Sequence, residues 1–237
     1  MLKGEVFIKS TQENFLYLSS TFSKLLKRRF GKGPETCNMM SKGNRLYVYM
    51  RNFITQAEEV LLENNELNLA NKFRSTVINA VIKEFLPEVT KVFGGSINHF
   101  YHDWNYHSNT GIVLLENVPT NDEVKVDAVF ENTLFHLIEV VGTQYNKRPA
   151  SLKIVKFTQN ICVIESKEVL LQLESLVYEQ GNLDLLLHQA REIKSGYLKN
   201  KNLCEDLFTR IIEDIFIVWD YENNRNYLIF VFYKEYQ

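Results

Sequence analysis

The sequence predicts an α+β fold: two tandem α-β-β-α-α-β-β units, each an antiparallel sheet covered by helices, packed together as a pseudo-dimer. Three observations lead there. Short strand-like runs come in pairs around Gly or Asn turns and alternate with helical runs, which favours hairpins over parallel crossovers. The order of apolar blocks recurs once at an offset of about 115 residues, the mark of an internal repeat. Runs such as Tyr227 to Tyr233 are apolar on both faces, so the sheet face away from the helices also needs cover, most economically from the other copy. Each half alone would then expose an apolar face and associate.

In the first copy Phe15, Leu18, Phe22, Leu25, Leu26 and Phe30 fall at helical spacing, so Glu13 to Phe30 reads as an amphipathic helix stopped by Gly31. After a turn at Gly31 to Pro34, Thr36 to Met40 and Arg45 to Arg51 read as strands hinged at Lys42-Gly43-Asn44. Thr55-x-x-Glu58 has capping-box spacing for a short helix over Ala57 to Glu63. A long helix, Leu67 to Phe93, carries Pro87 and stops at Gly94-Gly95. Ile97 to Tyr106 and Gly111 to Glu116 close the unit as a second hairpin around Ser108-Asn109-Thr110.

The second copy repeats the pattern: a helix from Val129 to Tyr145, strands at Ser151 to Phe157 and Asn160 to Glu165, helices at Glu168 to Glu179 and Leu183 to Phe208, strands at Ile211 to Tyr221 and Asn226 to Tyr233. A shift of 115 places Leu46 on Ile161, Val48 on Val163 and Pro34 on Pro149; a shift of 116 places Glu58 on Glu174, Phe100 on Phe216 and Val113 on Ile229. Val218-Trp219-Asp220 then stands where the first copy has His102-Asp103-Trp104. The domains expected are 1–117 and 128–237, joined by a linker over 118–127 that holds Pro119 and acidic residues.

Composition excludes several function classes. With 237 residues, 45% hydrophobic and 24% charged, and only 10 Gly and 4 Pro, the chain is neither disordered nor collagen-like. Lys plus Arg 27 against Asp plus Glu 29 leaves a net charge of −2, so no global field favours nucleic acid. Cys37, Cys162 and Cys204 are odd in number and far apart, which suits reduced thiols in a cytoplasm. Met1 to Ser10 has no sustained apolar stretch, and no run approaches the roughly 18 residues of a membrane span. The expectation is a cytoplasmic protein, at most peripheral to the membrane.

The chemistry-bearing candidates are few. Phe30-Gly31-Lys32-Gly33-Pro34-Glu35 could offer backbone N–H groups to an anion, but lacks the spacing of a phosphate-binding P-loop; the plainer reading is a glycine helix stop and a proline turn. Lys24, Lys27, Arg28 and Arg29 precede it as a basic cluster, an ordinary complement to a helix C-terminus. Arg51 and Glu58 flank a strand-to-helix junction as a charged pair, a cap or a small polar ligand site. In the run from His99 to His107, His102 shares a strand face with Trp104 and Tyr106, while Asp103 lies on the other with His99 and Tyr101. That split disfavours both a zinc site and a His102 or His107 acid/base dyad with Asp103. No catalytic residue, metal ligand set or cofactor is assigned, and a non-enzymatic role is favoured. Lys32, Gly33, Pro34, Arg51, Glu58, His102, Asp103 and His107 are the candidates for contact with a ligand or partner. The rival function is a small-anion or nucleotide sensor using Lys32, Gly33 and Arg51.

Taken in order, the segments Phe30 to Glu35, Arg51 to Glu58 and Phe100 to Trp104 through Gly111 resemble the MpsC-type domain family, over about residues 13 to 116. Residues 128 to 234 look like a degenerate second copy that keeps the apolar skeleton with Lys147, Pro149 and Glu174. The family is named for a sodium-translocating, membrane-potential-generating system. The resemblance implies a soluble accessory or regulatory protein at the inner face of the membrane, beside a membrane-embedded transporter subunit, and carries over no catalytic residue.

Overall fold

The chain divides into two compact units, Met1–Asn121 and Asp122–Gln237. The structure, a computed structural model, describes residues 11–117 and 124–233. Met1 to Ser10 and most of the expected linker lie outside the described residues.

In the first unit α1 (Gln12–Phe30) starts where the Thr11 side chain accepts from the Asn14 N–H at 3.3 Å, and it buries Leu18, Phe22 and Leu26, one residue per turn. It ends at Gly31, whose φ of 77° is a left-handed C-cap and whose N–H reaches Lys27 O at 2.9 Å. Hairpin β1 (Thr36–Lys42) and β2 (Arg45–Arg51) follows, then α2 (Gln56–Glu63) and α3 (Leu67–Phe93), then hairpin β3 (His99–Asn105) and β4 (Thr110–Glu116). The sheet is antiparallel throughout, in the order β1-β2-β4-β3. The two helices therefore carry the chain from β2 across to β3, and β4 returns to lie beside β2. Leu18, Phe22 and Leu26 of α1 and Ile78, Val81, Ile82, Phe85 and Val89 of α3 meet Leu46, Val48 and Met50 of β2 and Val113 and Leu115 of β4. Each such fully buried side chain contributes about 1.5–3 kcal/mol of transfer free energy. The opposite face of β2 and β4 is also buried, with Tyr47, Tyr49, Ile112 and Leu114. There Arg45 and Glu116, direct cross-strand partners, form an ion pair at 2.7 Å.

The second unit has α4 (Ala128–Gly142), β5 (Ser151–Phe157), β6 (Ile161–Lys167), α5 (Gln172–Glu179), α6 (Leu183–Lys199), α7 (Lys201–Phe208), β7 (Ile212–Asp220) and β8 (Arg225–Phe232). Its sheet repeats the strand order, β5-β6-β8-β7. Two expected elements differ: the helix read from Glu168 starts only at Gln172, with Glu168 left-handed at φ 54°, and the helix read as continuous from Leu183 to Phe208 is broken at Asn200 into α6 and α7. Asn200 sits at φ −101° and ψ 18°, and its side-chain amide donates to Gly196 O at 2.9 Å. An Asn whose side chain competes for backbone carbonyls, four residues after a glycine, is a weak helix interior. Gly196 itself is required by packing, because a Cβ there would stand 2.2 Å from the Tyr145 ring.

Strand register corrects the internal alignment. Thr36 faces Arg51 across β1-β2, and Ser151 faces Lys167 across β5-β6, so β2 matches β6 at an offset of 116. Asn105 faces Thr110 and Asp220 faces Arg225, so the closing hairpins match at 115. Leu46 therefore corresponds to Cys162 rather than Ile161, Val48 to Ile164 rather than Val163, Phe100 to Ile215 rather than Phe216, and Val113 to Leu228 rather than Ile229. Burial agrees, since Cys162, Ile164, Ile215 and Leu228 belong to the helix-facing core. Trp104 likewise matches Trp219, and His102 and Asp103 match Ile217 and Val218. A one-residue slip turns every side chain of a strand over, and strands apolar on both faces give the sequence no signal against it. The two similar units share left-handed positions: Asn52, Asn65 and Asn109 (φ 55°, 60° and 52°) correspond to Glu168, Gly181 and Asn224 (φ 54°, 75° and 49°).

Candidate functional site

The junction between β2 and α2 builds a buried polar centre in the first unit. Thr55 Oγ1 accepts from the Glu58 N–H, while Glu58 Oε2 accepts from the Thr55 N–H at 2.9 Å and from its hydroxyl at 2.7 Å, a reciprocal capping box. Glu58 is completely buried, a costly place for a carboxylate unless it is paired. Its partner is Arg74 of α3, whose Nε donates to Oε1 and whose Nη2 donates to Oε2 at 2.5 Å. Arg74, 2% exposed, also donates to Phe53 O at 2.7 Å. Tyr106 adds a weaker hydroxyl contact to Glu58 at 3.5 Å, and burial pushes its phenol well above its ordinary pKa.

Aromatic rings enclose the guanidinium. Its carbon lies 4.3 Å from the Trp104 ring, 4.9 Å from Phe53, 5.4 Å from Tyr106 and 5.8 Å from Phe30. These distances are those of cation–π contacts, which strengthen when desolvated. Trp104 can lie there because its cross-strand neighbour is Gly111, where a Cβ would come within 2 Å of the indole ring. The hairpin tip closes the assembly: Asn109 Oδ1 accepts from the Phe53 and Ile54 N–H groups at 2.7 and 2.9 Å, and Asn109 O accepts from Asn52 N–H at 2.8 Å. Lys32 donates to Ile54 O at 2.8 Å and ties the end of α1 to the same segment. Phe30, Lys32, Phe53, Thr55, Glu58, Trp104 and Gly111, scattered through three sequence motifs, thus converge on one residue outside them, Arg74.

The structure brings some candidate residues together and separates others. Lys32 and Glu58 join this centre. Arg51 does not pair with Glu58; its side chain lies 5.0 Å over the Tyr49 ring, on the sheet face away from the helices. Gly33 is not left-handed, and a Cβ would meet Ser23 O at 3.4 Å and Lys27 Cβ at 3.6 Å, so with Pro34 it forms a packed turn. The Gly31 N–H is used on Lys27 O, and the loop stands at the C-terminal end of α1, where the helix dipole disfavours an anion. Arg29 and Arg28 both pair with Glu84 of α3, and the Arg29 hydrogen bond above all holds that half-buried carboxyl below its usual range. His102 lies 3.1 Å from Asn79 Oδ1; burial pushes its pKa down to about 4, with Asp103 opposing the shift and Arg74 reinforcing it. Asp103 accepts from its neighbour's Trp104 N–H at 2.8 Å on the other face, and His107 is exposed at the hairpin tip. Among the described residues, no group of three His, Cys, Asp or Glu side chains is placed to hold a metal ion.

Sequence reasoning missed Arg74, Asn79 and Asn109. A signal for the first existed: Ala70, Arg74 and Ile78 follow one another at i, i+4, i+8, so an arginine occupies the buried stripe of α3. In the second unit Leu171 replaces the capping Thr, Glu174 keeps the reciprocal bond to the Leu171 N–H at 2.7 Å, and Gln189 of α6 donates to Glu174 in place of an arginine. Asn224 Oδ1 accepts from Leu170 N–H at 2.8 Å, as Asn109 does from Ile54. The backbone of the centre is repeated there, and Trp219 and Tyr221, stacked at 5.5 Å, stand where Trp104 and Tyr106 do, but Glu174 is held by Gln189 rather than by an arginine.

The fold and this centre define the first unit as a compact α+β domain organised around a buried Arg–Glu pair. Residues 15–116, less than half of the chain, match the family described as Na+-translocating membrane potential-generating system (MpsC). The match runs from α1 to the end of β4 and contains every residue of the centre. Comparisons with curated proteins and with solved structures found no match. No described helix is long and apolar enough to cross a membrane.

Proposed function

We propose that the chain is a non-enzymatic accessory protein of a system that generates membrane potential by moving cations, held peripherally at the cytoplasmic face by a membrane-embedded subunit. The observation that carries this reading is the MpsC match over residues 15–116. The buried centre supports it: Glu58, the best-placed carboxylate, is spent on Thr55 and Arg74 and offers no acid or base to solvent. Residues 128–237 are read as a degenerate second copy, supported by the repeated strand order and left-handed positions, with residues 118–127 as linker.

The test is a crosslinked pull-down of the tagged full-length protein from its native cells, with membranes included and mass spectrometry as readout. Enrichment of a multi-span cation transporter subunit is expected, together with loss of membrane potential or Na+ extrusion on deletion. Recovery of soluble proteins alone, with an unchanged potential in the deletion strain, would overturn the reading.

A further inference from the structure

The helix layer of the first unit has a basic outer face. α1 and α3 lie antiparallel and side by side, with Phe15 against Phe93, Phe22 against Phe85 and Phe30 against Phe73 at ring-centroid distances of 6.1, 4.8 and 5.9 Å. Lys24 stands two residues after the buried Phe22, and Lys83 two residues before the buried Phe85. Two residues are about 200° around a helix, so both lysines point away from the sheet, and at the same level. Lys27 and Arg28 follow Lys24 at i+3 and i+4 on the same side of α1. On α3 the outward line runs Lys72, Thr76, Ala80, Lys83, Pro87, Lys91; every one is exposed, and the line holds no acid. Glu84 and Glu88 sit beside it, spent on Arg28 and Arg29 and on the Tyr17 hydroxyl. One carboxylate answers two arginines, so the face keeps an excess of positive charge. Glu13, the acid on the outward side of α1, lies three turns before Lys24.

Cations in the last turn of α1 complement its dipole, but that does not account for α3. There Lys72 lies near the N-terminus, the end that disfavours a cation, and Lys83 lies mid-helix. Nor does the fold require the charge, since α4, the counterpart of α1, has no Lys or Arg. The character of the face decides what it suits. Thr76 and Ala80 between Lys72 and Lys83, and Ser20 before Lys24, are short and give no apolar anchor for the buried centre of a protein interface. The chain's net charge of −2 supplies no wider field for a nucleic acid. A bilayer with anionic lipids needs neither: its headgroups are mobile and meet scattered cations one by one, and clusters of about four to eight Lys or Arg are what such surfaces attract.

We propose that the outer face of α1 and α3 rests on an anionic lipid surface. The inference rests on the accessory-protein reading and deepens it: lipid headgroups, besides a protein subunit, hold the chain at the membrane through its first unit. The contact is electrostatic, so it weakens with salt and with the loss of each lysine.

The test is sedimentation of the full chain with vesicles of phosphatidylcholine, alone or mixed with phosphatidylglycerol. Binding is expected only with the anionic lipid, and it should fall as salt rises from about 0.1 to 0.5 M. Lys24→Glu with Lys83→Glu should weaken it at least about tenfold, and the milder Lys24→Ala with Lys83→Ala by less. Lys147→Glu with Lys199→Glu reverses two exposed lysines of the second unit and should change it far less. Circular dichroism verifies that each variant folds. No binding to anionic vesicles, equal binding to phosphatidylcholine alone, or the same loss in both Glu pairs would overturn the proposal. So would binding to polyglutamate or to a DNA duplex that Lys24→Glu with Lys83→Glu abolishes while vesicle binding persists. The two readings fail separately: vesicle binding by this face with no transporter subunit in the pull-down sinks only the accessory reading, and recovery of the subunit with no vesicle binding sinks only the lipid contact.

Discussion

Replacing Arg74 by methionine removes the charge from the centre while keeping much of the side-chain length among Trp104, Phe53 and Phe30. Glu58, completely buried, then loses both hydrogen bonds from the guanidinium, and Phe53 O loses the donor at 2.7 Å. Breaking a buried ion pair by removing one partner costs about 3–5 kcal/mol, because the remaining charge is left desolvated. A folded domain is stable by only about 5–15 kcal/mol, so the first unit should approach its threshold. Arg74→Met is therefore expected to lower unfolding free energy by about 3–5 kcal/mol in urea titrations followed by circular dichroism and near-ultraviolet signal. Adding Glu58→Gln to that variant should recover more than about 1 kcal/mol, since it removes the stranded charge. Arg74→Lys should fall between, because an ammonium keeps the charge but not the fork that reaches Glu58 and Phe53 together. A loss below about 1 kcal/mol for Arg74→Met, or no recovery with Glu58→Gln, would refute the view that this pair organises the domain.

Other expectations follow from single contacts. Gly111→Ala drives a Cβ to within 2 Å of the Trp104 ring and should cost about 1–3 kcal/mol or more, whereas Gly33→Ala meets ordinary contact distances and should stay within about 0.5 kcal/mol; equal effects in parallel melts would contradict the packing described. His102 has its pKa pushed from 6.5 down to about 4 by burial, so between those values the unfolded chain binds the extra proton. Stability should then fall as pH drops from 6.5 to 4, by up to about 3 kcal/mol, and His102→Asn should flatten that slope; an unchanged slope would remove His102 as its source. Burial pushes the Cys37 thiol up to about 11 and Cys204 up to about 12, and raises Cys162 as well. A thiol reagent at pH 8 should leave the buried Cys162 and Cys204 unlabelled in the native protein, react slowly with the half-buried Cys37, and label all three in urea; rapid native labelling of Cys162 or Cys204 would contradict their burial.

Much of the local structure was legible in the sequence because local physics decides it. The Gly31 stop, the Thr55–Glu58 box and the turns at Gly43 and Asn109 each depend on a few neighbouring residues, and the elements formed within a few residues of the expected bounds. The break at Asn200 has the same local source: one poor helix former within a long apolar pattern. The three segments that carry the family resemblance also supply Phe30, Glu58 and Trp104 to the buried centre. What they belong to was not legible, since Arg74 lies in none of them and its stripe on α3 reads like any other buried helix face.

The sequence by itself determined which segments are helices and strands, that consecutive strands pair as hairpins in an antiparallel sheet, and that two similar units follow one another. Those properties follow from periodicity, capping and turn chemistry, all interactions between residues near in the chain. Tertiary structure alone decided the order β1-β2-β4-β3, the register that aligns Val48 with Ile164, and the meeting of Glu58 with Arg74 inside a ring of aromatics. Strands apolar on both faces pair equally well in neighbouring registers until a helix layer must be packed against one of them. The stripe of α3 marks Arg74 as buried but not what it meets, because what stabilises it is a carboxylate and rings brought from α1, α2, β3 and the loops beside them.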